Sequence, residues 1–379
     1  VTDRSPAPDV AVIGGGIIGA AAAFFLAAAG VRVTLYERAT IAAAASGRNS
    51  GVIQHPFDPV LVGLYRESLE LYRALEADSV GAFDLPDEPA GLLAVGWDEA
   101  RAADLAAQWN AAYPETRPEV VVGPALRDVE PALAPDVVAC RIGIGYPVEP
   151  AMATRAFASL AEAHGASVRI GREVRLAVRD SVAVGVEVDG RVEAAGSVVV
   201  AAGPWTPRLI DPSGEWRPIR SVWGVVADVQ LARPPRHVLE EIAIDIEPAD
   251  DAPTAAGTEV DFSLVTAGGA SSLGSTFLLT EPDPDRFADP LRDRGSRYVP
   301  ELAGVPIRGL RACARPQALD GRPLVGALPG LVGVLVASGN GPWGISTGPA
   351  TARMMADLVL GRDTAIPAAL DPRRFGPVR

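Results

Sequence analysis

Residues 9–13 form a short apolar run, and residues 17–29 are apolar nearly all round, the signature of a buried helix. Residues 31–36 are again strand-like, so the chain opens as a strand-helix-strand unit. Apolar positions at helical spacing then predict amphipathic helices over 59–75, 98–113 and 150–165. Pro150 suits a first helical turn and Gly165 a helix end. Strand-like runs follow at 168–170, 174–178, 182–188 and 191–194, with Asp189-Gly190 as a hairpin turn between the last two. Residues 198–202 are a fully apolar strand ending in Gly203-Pro204. From 219 to 279 alternating strands are broken by loops rich in Pro, Asp, Ala and Gly, notably 248–257. A short helix near 291–297, a buried strand at 334–337 and a long helix over 344–360 complete the pattern. Nucleotide-type elements at both ends around a β-rich middle predict a discontinuous nucleotide domain with an inserted substrate domain.

Length and composition narrow this. The 379 residues suffice for two or three cores, and 48% hydrophobic against 21% charged residues describes a globular chain. The 39 Gly and 34 Pro show no Gly-X-Y period, which excludes collagen. A net charge of −13 without a basic run disfavours nucleic acid and anionic membrane as partners. All 34 basic residues are Arg, so chemistry needing a lysine amine is excluded: a pyridoxal Schiff base, a P-loop Lys, a catalytic ammonium. Two cysteines, Cys140 and Cys313, build no disulfide framework and fit a reducing, cytoplasmic compartment. Three histidines make a zinc site a poor expectation, and no metal is expected.

Residues 10–30 carry no charge and are long enough on paper to span a membrane. The three consecutive glycines Gly14, Gly15 and Gly16, the acidic flank before them and the strand at 31–36 argue against an integral span.

The strongest motif is Gly14-Gly15-Gly16-Ile17-Ile18-Gly19, a GxGxxG between strand and helix. Gly14 permits the tight turn, Gly16 lets backbone N–H groups approach a pyrophosphate, and Gly19 lets helix and strand pack closely. The helix N-terminus faces the phosphate charge. Glu37 ends the second strand beside Arg38, where an acid takes a ribose diol; an acid there disfavours NADP. The motif alone fits a glycine-rich turn in any α/β protein; with strand, helix and acid in place it points to a dinucleotide.

Five later segments bear on FAD against NAD. They are Ser46-Gly47-Arg48-Asn49-Ser50-Gly51, Glu173-Val174, Ala201-Ala202-Gly203-Pro204-Trp205, Arg315-Pro316-Gln317-Ala318-Leu319-Asp320-Gly321-Arg322-Pro323, and Gly339-Asn340-Gly341-Pro342-Trp343-Gly344-Ile345. In this order they resemble the flavin-dependent amine and amino-acid oxidases of the D-amino-acid oxidase superfamily, especially its glycine oxidase and sarcosine oxidase branch. The resemblance is specific at both ends of the chain and loose from 217 to 304. It implies FAD. It implies that the 46–51 loop, through Ser46, Arg48, Asn49 and Gly51, crosses the pyrophosphate and flavin ring, that Val174 holds the adenine, and that Ala202, Gly203 and Trp205 end a strand against the cofactor. Backbone N–H groups near Gly344 and Ile345 would face the pyrimidine end of the flavin and favour negative charge there.

The expected fold is thus α/β. A Rossmann-like FAD-binding domain with a central parallel sheet spans 1–84, 146–218 and 307–379. An α+β substrate domain with an antiparallel sheet spans 85–145 and 219–306. Matching relatives place a carboxylate-binding arginine at Arg315, and a planar guanidinium holds a carboxylate through two parallel hydrogen bonds. The competing reading is an Arg satisfied by Asp320 or a surface carboxylate. His55 has two readings: a polar group at the substrate face favouring the neutral amine, or a loop histidine capping the helix that starts near Pro59. Ser263, Phe277, Trp205 and Trp343 are candidate cavity walls or plain core. The residue matching Cys313 carries a flavin thioether in sarcosine oxidase-like proteins; as a free Cys it is otherwise a small buried residue.

The implied reaction oxidises the C–N bond of an amino acid or N-substituted glycine, with hydride passing to the flavin and the imine then hydrolysed. Oxygen or a quinone-type carrier would take the electrons. Two rivals remain at this stage: a non-catalytic or electron-relay flavin subunit of a larger complex, and an NAD-dependent dehydrogenase.

Overall fold

The computed structural model describes residues 9–242, 260–363 and 365–378. The loop expected at 248–257 and most of the flank before the first strand lie outside the described residues.

The opening unit forms as its pattern requires. Val10–Ile13 is fully buried, Ile17–Ala28 is a helix with nine buried residues, and Val33–Glu37 lies parallel to the first strand. They belong to a six-stranded sheet ordered Leu324–Ala327, Val334–Ser338, Ser197–Val200, Val10–Ile13, Val33–Glu37, Ser167–Ile170. All its pairs are parallel except the first, where Leu324–Ala327 runs against Val334–Ser338. Apolar strands buried on both faces are what a helix-covered parallel sheet demands. The helices Ile17–Ala28 and Gly344–Val359 pack closely: a Cβ at Gly348 would stand 2.8 Å from Ile17 Cγ2. A separate three-stranded antiparallel sheet, Val174–Arg179, Val182–Val188 and Arg191–Ala194, carries the expected Asp189-Gly190 turn, with φ of 50° and 76°.

The second large sheet has eight strands, ordered Gly309–Ala318, Ile219–Val229, Ala270–Gly274, Ser263–Ala267, Val238–Glu241, Leu92–Gly96, Val138–Ile142, Glu119–Val121. It is antiparallel apart from one parallel pair, Val238–Glu241 with Leu92–Gly96, where the two chain segments that build it meet. One face packs on a core holding Leu93, Val95, Leu239, Leu264 and Leu273. The other face carries Glu240, Ser263 and Gly224 and looks toward the six-stranded sheet across a cavity.

One boundary needs correcting. A division at 306/307 assigns Gly309–Ala318 to the cofactor domain, yet this strand pairs with Ile219–Val229 over ten residues, from Gly309 with Asp228 to Ala318 with Ile219. It is the edge of the eight-stranded sheet and the bridge between the two parts. Among the described residues no helix is long and apolar enough to cross a membrane.

Candidate active site

A continuous cavity of about 1390 Å³ runs from the glycine turn to the inner face of the eight-stranded sheet. That exceeds the roughly 300–1,000 Å³ of a pocket for one drug-sized ligand, so a dinucleotide and a small substrate fit together.

At the glycine turn each residue has a separate steric reason. Gly14 has φ +111°, and a Cβ there would stand 2.4 Å from the Ala201 carbonyl oxygen. A Cβ on Gly19 would lie 1.9 Å from the Gly14 carbonyl oxygen, so only glycine lets the helix start this close to the turn. Gly14, Gly15, Gly16, Ile17 and Ile18 line the cavity, whereas Gly19 lies behind the turn and acts through packing alone. The Glu37 carboxylate is held by two backbone N–H groups: Gly15 donates to Oε2 at 2.8 Å and Ala39 to Oε1 at 2.8 Å. One lone pair on each oxygen remains for a ligand. Ile17 N–H donates to Ser46 Oγ at 2.9 Å, so the 46–51 loop closes over the helix start.

Beyond Glu37 the Arg38 guanidinium lies 3.9 Å from the Trp205 ring centroid, a cation–π contact at the cavity wall. Val174, Ala202 and Gly203 line the same end. The Ser338 hydroxyl donates to the Gly203 carbonyl at 3.1 Å, which ties two strand ends together.

Asn49 Nδ2 donates to the Ala45 and Ser46 carbonyls at 3.2 and 2.9 Å, and Asn49 Oδ1 accepts from Gly51 N–H at 2.8 Å. Its side chain therefore caps the short helix Ala45–Arg48. Arg48 lines the cavity, but its Nη1 donates to the Ala312 carbonyl at 3.0 Å, anchoring the loop to the strand Gly309–Ala318. Gly51, with φ +85°, and Gly339, with φ +96°, shape their turns without lining the cavity.

Opposite the glycine turn, Asn340, Gly341, Pro342, Trp343, Gly344 and Ile345 line the cavity at the start of the helix Gly344–Val359. No side chain caps this helix start, so its first-turn N–H groups are available to an acceptor. The Asn340 side chain turns away and donates to the Thr347 and Thr351 hydroxyls at 2.9 and 3.0 Å. The residues thus fit a flavin dinucleotide: a glycine cradle, an oriented acid, two helix starts and a cavity of about 1390 Å³ that joins them.

Arg315 emerges from the strand Gly309–Ala318 into this cavity. Its Nη1 donates to the Thr276 carbonyl at 2.8 Å and its Nη2 to Ser275 Oγ at 2.7 Å. The Phe277 ring centroid is 4.4 Å from Cζ. These contacts aim the guanidinium and leave N–H groups over, since it carries five donors. Burial lowers its proton affinity. Asp320, the alternative partner, is engaged by Arg374 through Nε at 2.6 Å. Arg322 of the same segment binds Asp58 at 2.9 and 3.0 Å, and Asp58 caps the helix Pro59–Ser79. The helix cap is therefore Asp58 rather than His55.

His55 is buried under Tyr65, Trp109 and Tyr113, with ring centroids 4.9, 5.6 and 4.7 Å away. Its Nδ1 lies 2.6 Å from the Pro56 carbonyl, which makes Nδ1–H the donor in the neutral ring. Burial holds its pKa below the usual value. It borders the cavity as a neutral imidazole, and among the described residues Nε2 has no hydrogen-bond partner.

Ser263, Phe277 and Trp343 line the cavity as well. Sequence reasoning missed Glu240. It lines the same cavity, its Oε2 accepts from Gln54 Nε2 at 2.9 Å, and burial pushes its carboxyl above the usual range. The local signal, two acids on a polar strand end, reads as surface; only the sheet register brings Glu240 inside. Its neighbour Glu241 is paired with Arg294.

Comparison with known proteins agrees with this geometry. The chain is 28% identical to a glycine oxidase of Pseudomonas aeruginosa over 378 residues, covering 97% of this chain and 98% of that protein. It is 31% identical over 221 residues to a D-amino acid dehydrogenase of Cereibacter sphaeroides, covering 57% of this chain and 47% of that protein. The crystal structure of glycine oxidase from Geobacillus kaustophilus superposes with a TM-score of 0.82 at 26% identity, over 98% of both chains. Residues 9–358 match the family model described as FAD dependent oxidoreductase, which removes the NAD-dependent reading. With its glycine cradle, oriented acid and inward-facing arginine built on this scaffold, the chain belongs to the FAD-dependent oxidoreductase family.

Proposed function

We propose that the protein oxidises the C–N bond of an α-amino acid or an N-substituted glycine. The observation that carries this reading is Arg315, a guanidinium aimed into the cavity by Ser275 and Thr276 with donors to spare. A carboxylate gripped there fixes the α-carbon in the space between the eight-stranded sheet and the cofactor cradle. The Gly14–Gly16 turn and Glu37 hold the dinucleotide, and the first-turn N–H groups at Gly344 and Ile345 stabilise negative charge at its ring. When bound, FAD supplies the two-electron sink for the hydride that leaves the α-carbon. The substrate amine becomes an imine, and water converts it to an oxo acid and ammonia, or, for an N-substituted glycine, to glyoxylate and the freed primary amine. His55, neutral and sealed by three aromatic rings, keeps the adjoining wall uncharged and dry rather than moving a proton.

We assign a quinone or another carrier as electron acceptor, since the chain has no lysine to supply free positive charge; the similarity to a dehydrogenase supports this. Two unpaired cysteines support a cytoplasmic location. The test is anaerobic bleaching of the FAD-loaded protein across a panel of amino acids and secondary amines, repeated with Arg315→Ala. Bleaching by an amino acid that Arg315→Ala loses supports the reading. An unchanged affinity and rate in Arg315→Ala, or no bleaching by any of them, removes it.

A further inference from the structure

Arg315 accounts for one end of an amino acid. The cavity holds a second, half-buried ionisable group that the proposed reaction leaves without a task.

Glu240 is the last residue but one of the strand Val238–Glu241 in the eight-stranded sheet. It is directly opposite Ser263 on the next strand, and Ser263 is opposite Gly274 on the one after. Residues directly opposite in a sheet share a face, and here that face is the cavity wall, which Glu240 and Ser263 line. Ser275, which accepts from the Arg315 guanidinium, follows Gly274 immediately. The cationic head of Arg315 lies over Gly224 of Ile219–Val229 and reaches Ser275 and Thr276 just past the strand Ala270–Gly274, so Glu240 is two to three strand spacings away, roughly 10–15 Å at 4.7–4.9 Å per strand. Between them lie a serine and a glycine, and a Cβ on Gly274 would stand 2.8 Å from Ser263 Oγ. The floor joining the two charges is low.

Among the described residues no arginine pairs with Glu240; its polar contact is Gln54, itself held through its backbone N–H by Ser346 Oγ at 2.9 Å. The contrast with Glu241, neutralised by Arg294, is internal to the same strand. A partly desolvated carboxylate with one neutral donor is costly, which favours its protonated form until something brings it a positive charge.

We propose that Glu240 is a specificity-determining residue that recognises a cationic group at the far end of the substrate side chain, so that the preferred substrate is a basic amino acid. The separation from Arg315 is too long for the α-amine, which lies within about one bond of the carbon bearing the carboxylate, and suits an ammonium or guanidinium several methylenes away. Burial raises the proton affinity of Glu240, and a bound cation reverses that shift.

This rests on the reading that Arg315 holds the α-carboxylate, and the test separates the two. Calorimetric titration of the FAD-loaded full chain compares γ-aminobutyrate, δ-aminovalerate and ε-aminocaproate with butyrate, valerate and caproate. None of these has an α-amine, so binding is read without turnover. At one chain length the ω-amino acid binds at least tenfold more tightly than its plain partner. Glu240→Gln brings that ratio close to one, and Glu240→Asp, shorter by a methylene, restores it at the next longer chain. A ratio near one at every length in the unaltered protein, or a ratio that survives Glu240→Gln, overturns the proposal. In a parallel arm, lysine and ornithine bleach the flavin faster than norleucine and norvaline. If no amino acid bleaches it, the oxidase reading fails while the binding ratio still decides Glu240.

Discussion

The guanidinium of Arg315 lies over the backbone of Gly224, so closely that a methyl group at Gly224 would stand 2.5 Å from Nη2 and 2.6 Å from Cζ. The two residues are on adjacent strands, and Val222, two before Gly224, is directly opposite Arg315. The arginine thus crosses the glycine to reach Ser275 and Thr276 on the far side. Gly224→Ala displaces the guanidinium without touching the cofactor cradle. The expected result is a rise in KM for the amino-acid substrate of about tenfold or more, equivalent to about 1.4 kcal/mol, with the FAD content of the purified protein retained. Loss of FAD with an unaltered KM would contradict this placement.

Glu37 gives a second prediction. Its two oxygens each accept a backbone N–H, from Gly15 and Ala39, so it fixes the glycine turn besides facing the cavity. Hydrogen bonds to an ionised group contribute about 1.5–3 kcal/mol each. Glu37→Ala removes both and is expected to raise the dissociation constant for FAD by tenfold or more, measured by quenching of flavin fluorescence on titrating the apoprotein. Glu37→Gln keeps one acceptor and should fall between. Equal affinity in all three proteins would show that the acid has no part in holding the cofactor.

The contrast between Glu37 and Glu240 shows what a sequence carries. Glu37 is legible because it closes a strand-helix-strand unit whose apolar residues, burial and glycines are contiguous. Glu240 acquires its place from register with Ser263, from Gln54 and from burial against a loop, none of which is local. The strand Leu92–Gly96 escaped for a related reason: it is buried on both faces, so it shows no alternation, and five apolar residues fit any buried segment. Val138–Ile142 includes an exposed Arg141 among buried neighbours and pairs with Leu92–Gly96 far from it in sequence. The strand Gly309–Ala318 was legible as a motif but not as the edge of a sheet, because its partner Ile219–Val229 is some 90 residues earlier. His55 owes its environment to Tyr65, Trp109 and Tyr113 on other elements, which its neighbours Gln54 and Pro56 do not announce.

That environment yields a third prediction. Burial lowers the folded-state pKa of His55 from its ordinary 6.5, so the unfolded chain binds its proton more readily. Its contribution to stability is present above pH 6.5 and is lost as the pH falls through the folded pKa. Melting temperatures of the unaltered protein and of His55→Phe are expected to converge as the pH is lowered from 7.5 to about 5, through loss from the unaltered protein. A constant difference across that range would mean that the ring carries the same charge folded and unfolded.

Cys313 lines the cavity two residues before Arg315, where a thioether to the flavin is conceivable. Burial pushes its thiol pKa up, against the pull of Arg315, Arg48 and Arg311, so the nucleophilic thiolate is disfavoured. We expect FAD to be held without a covalent bond. Acid precipitation should leave the yellow colour in the supernatant, and flavin staying with the pellet would overturn the expectation.

The electron acceptor follows from where positive charge is free. Oxygen takes its first electron as superoxide, an anion that a fixed cation near the ring stabilises. The chain has no lysine; besides Arg38, Arg172, Arg175 and Arg208, which stand with Glu37, Val174 and Trp205, the cavity wall carries Arg48, Arg315 and His55. Arg48 is turned to the Ala312 carbonyl, Arg315 is taken by the substrate carboxylate in the proposed reaction, and His55 is neutral because its burial disfavours the imidazolium. After the oxidised acid leaves, Arg315 regains its charge, and its Ser275 and Thr276 contacts hold it against the sheet. Reoxidation by oxygen is therefore expected to be slow relative to substrate oxidation, and a quinone analogue to restore turnover. Stopped-flow mixing of substrate-reduced protein with air-saturated buffer measures the first, and a dye-linked assay the second. Reoxidation as fast as turnover, with stoichiometric peroxide, would make the protein an oxidase, and its sensitivity to Arg315→Ala would then identify the activating charge.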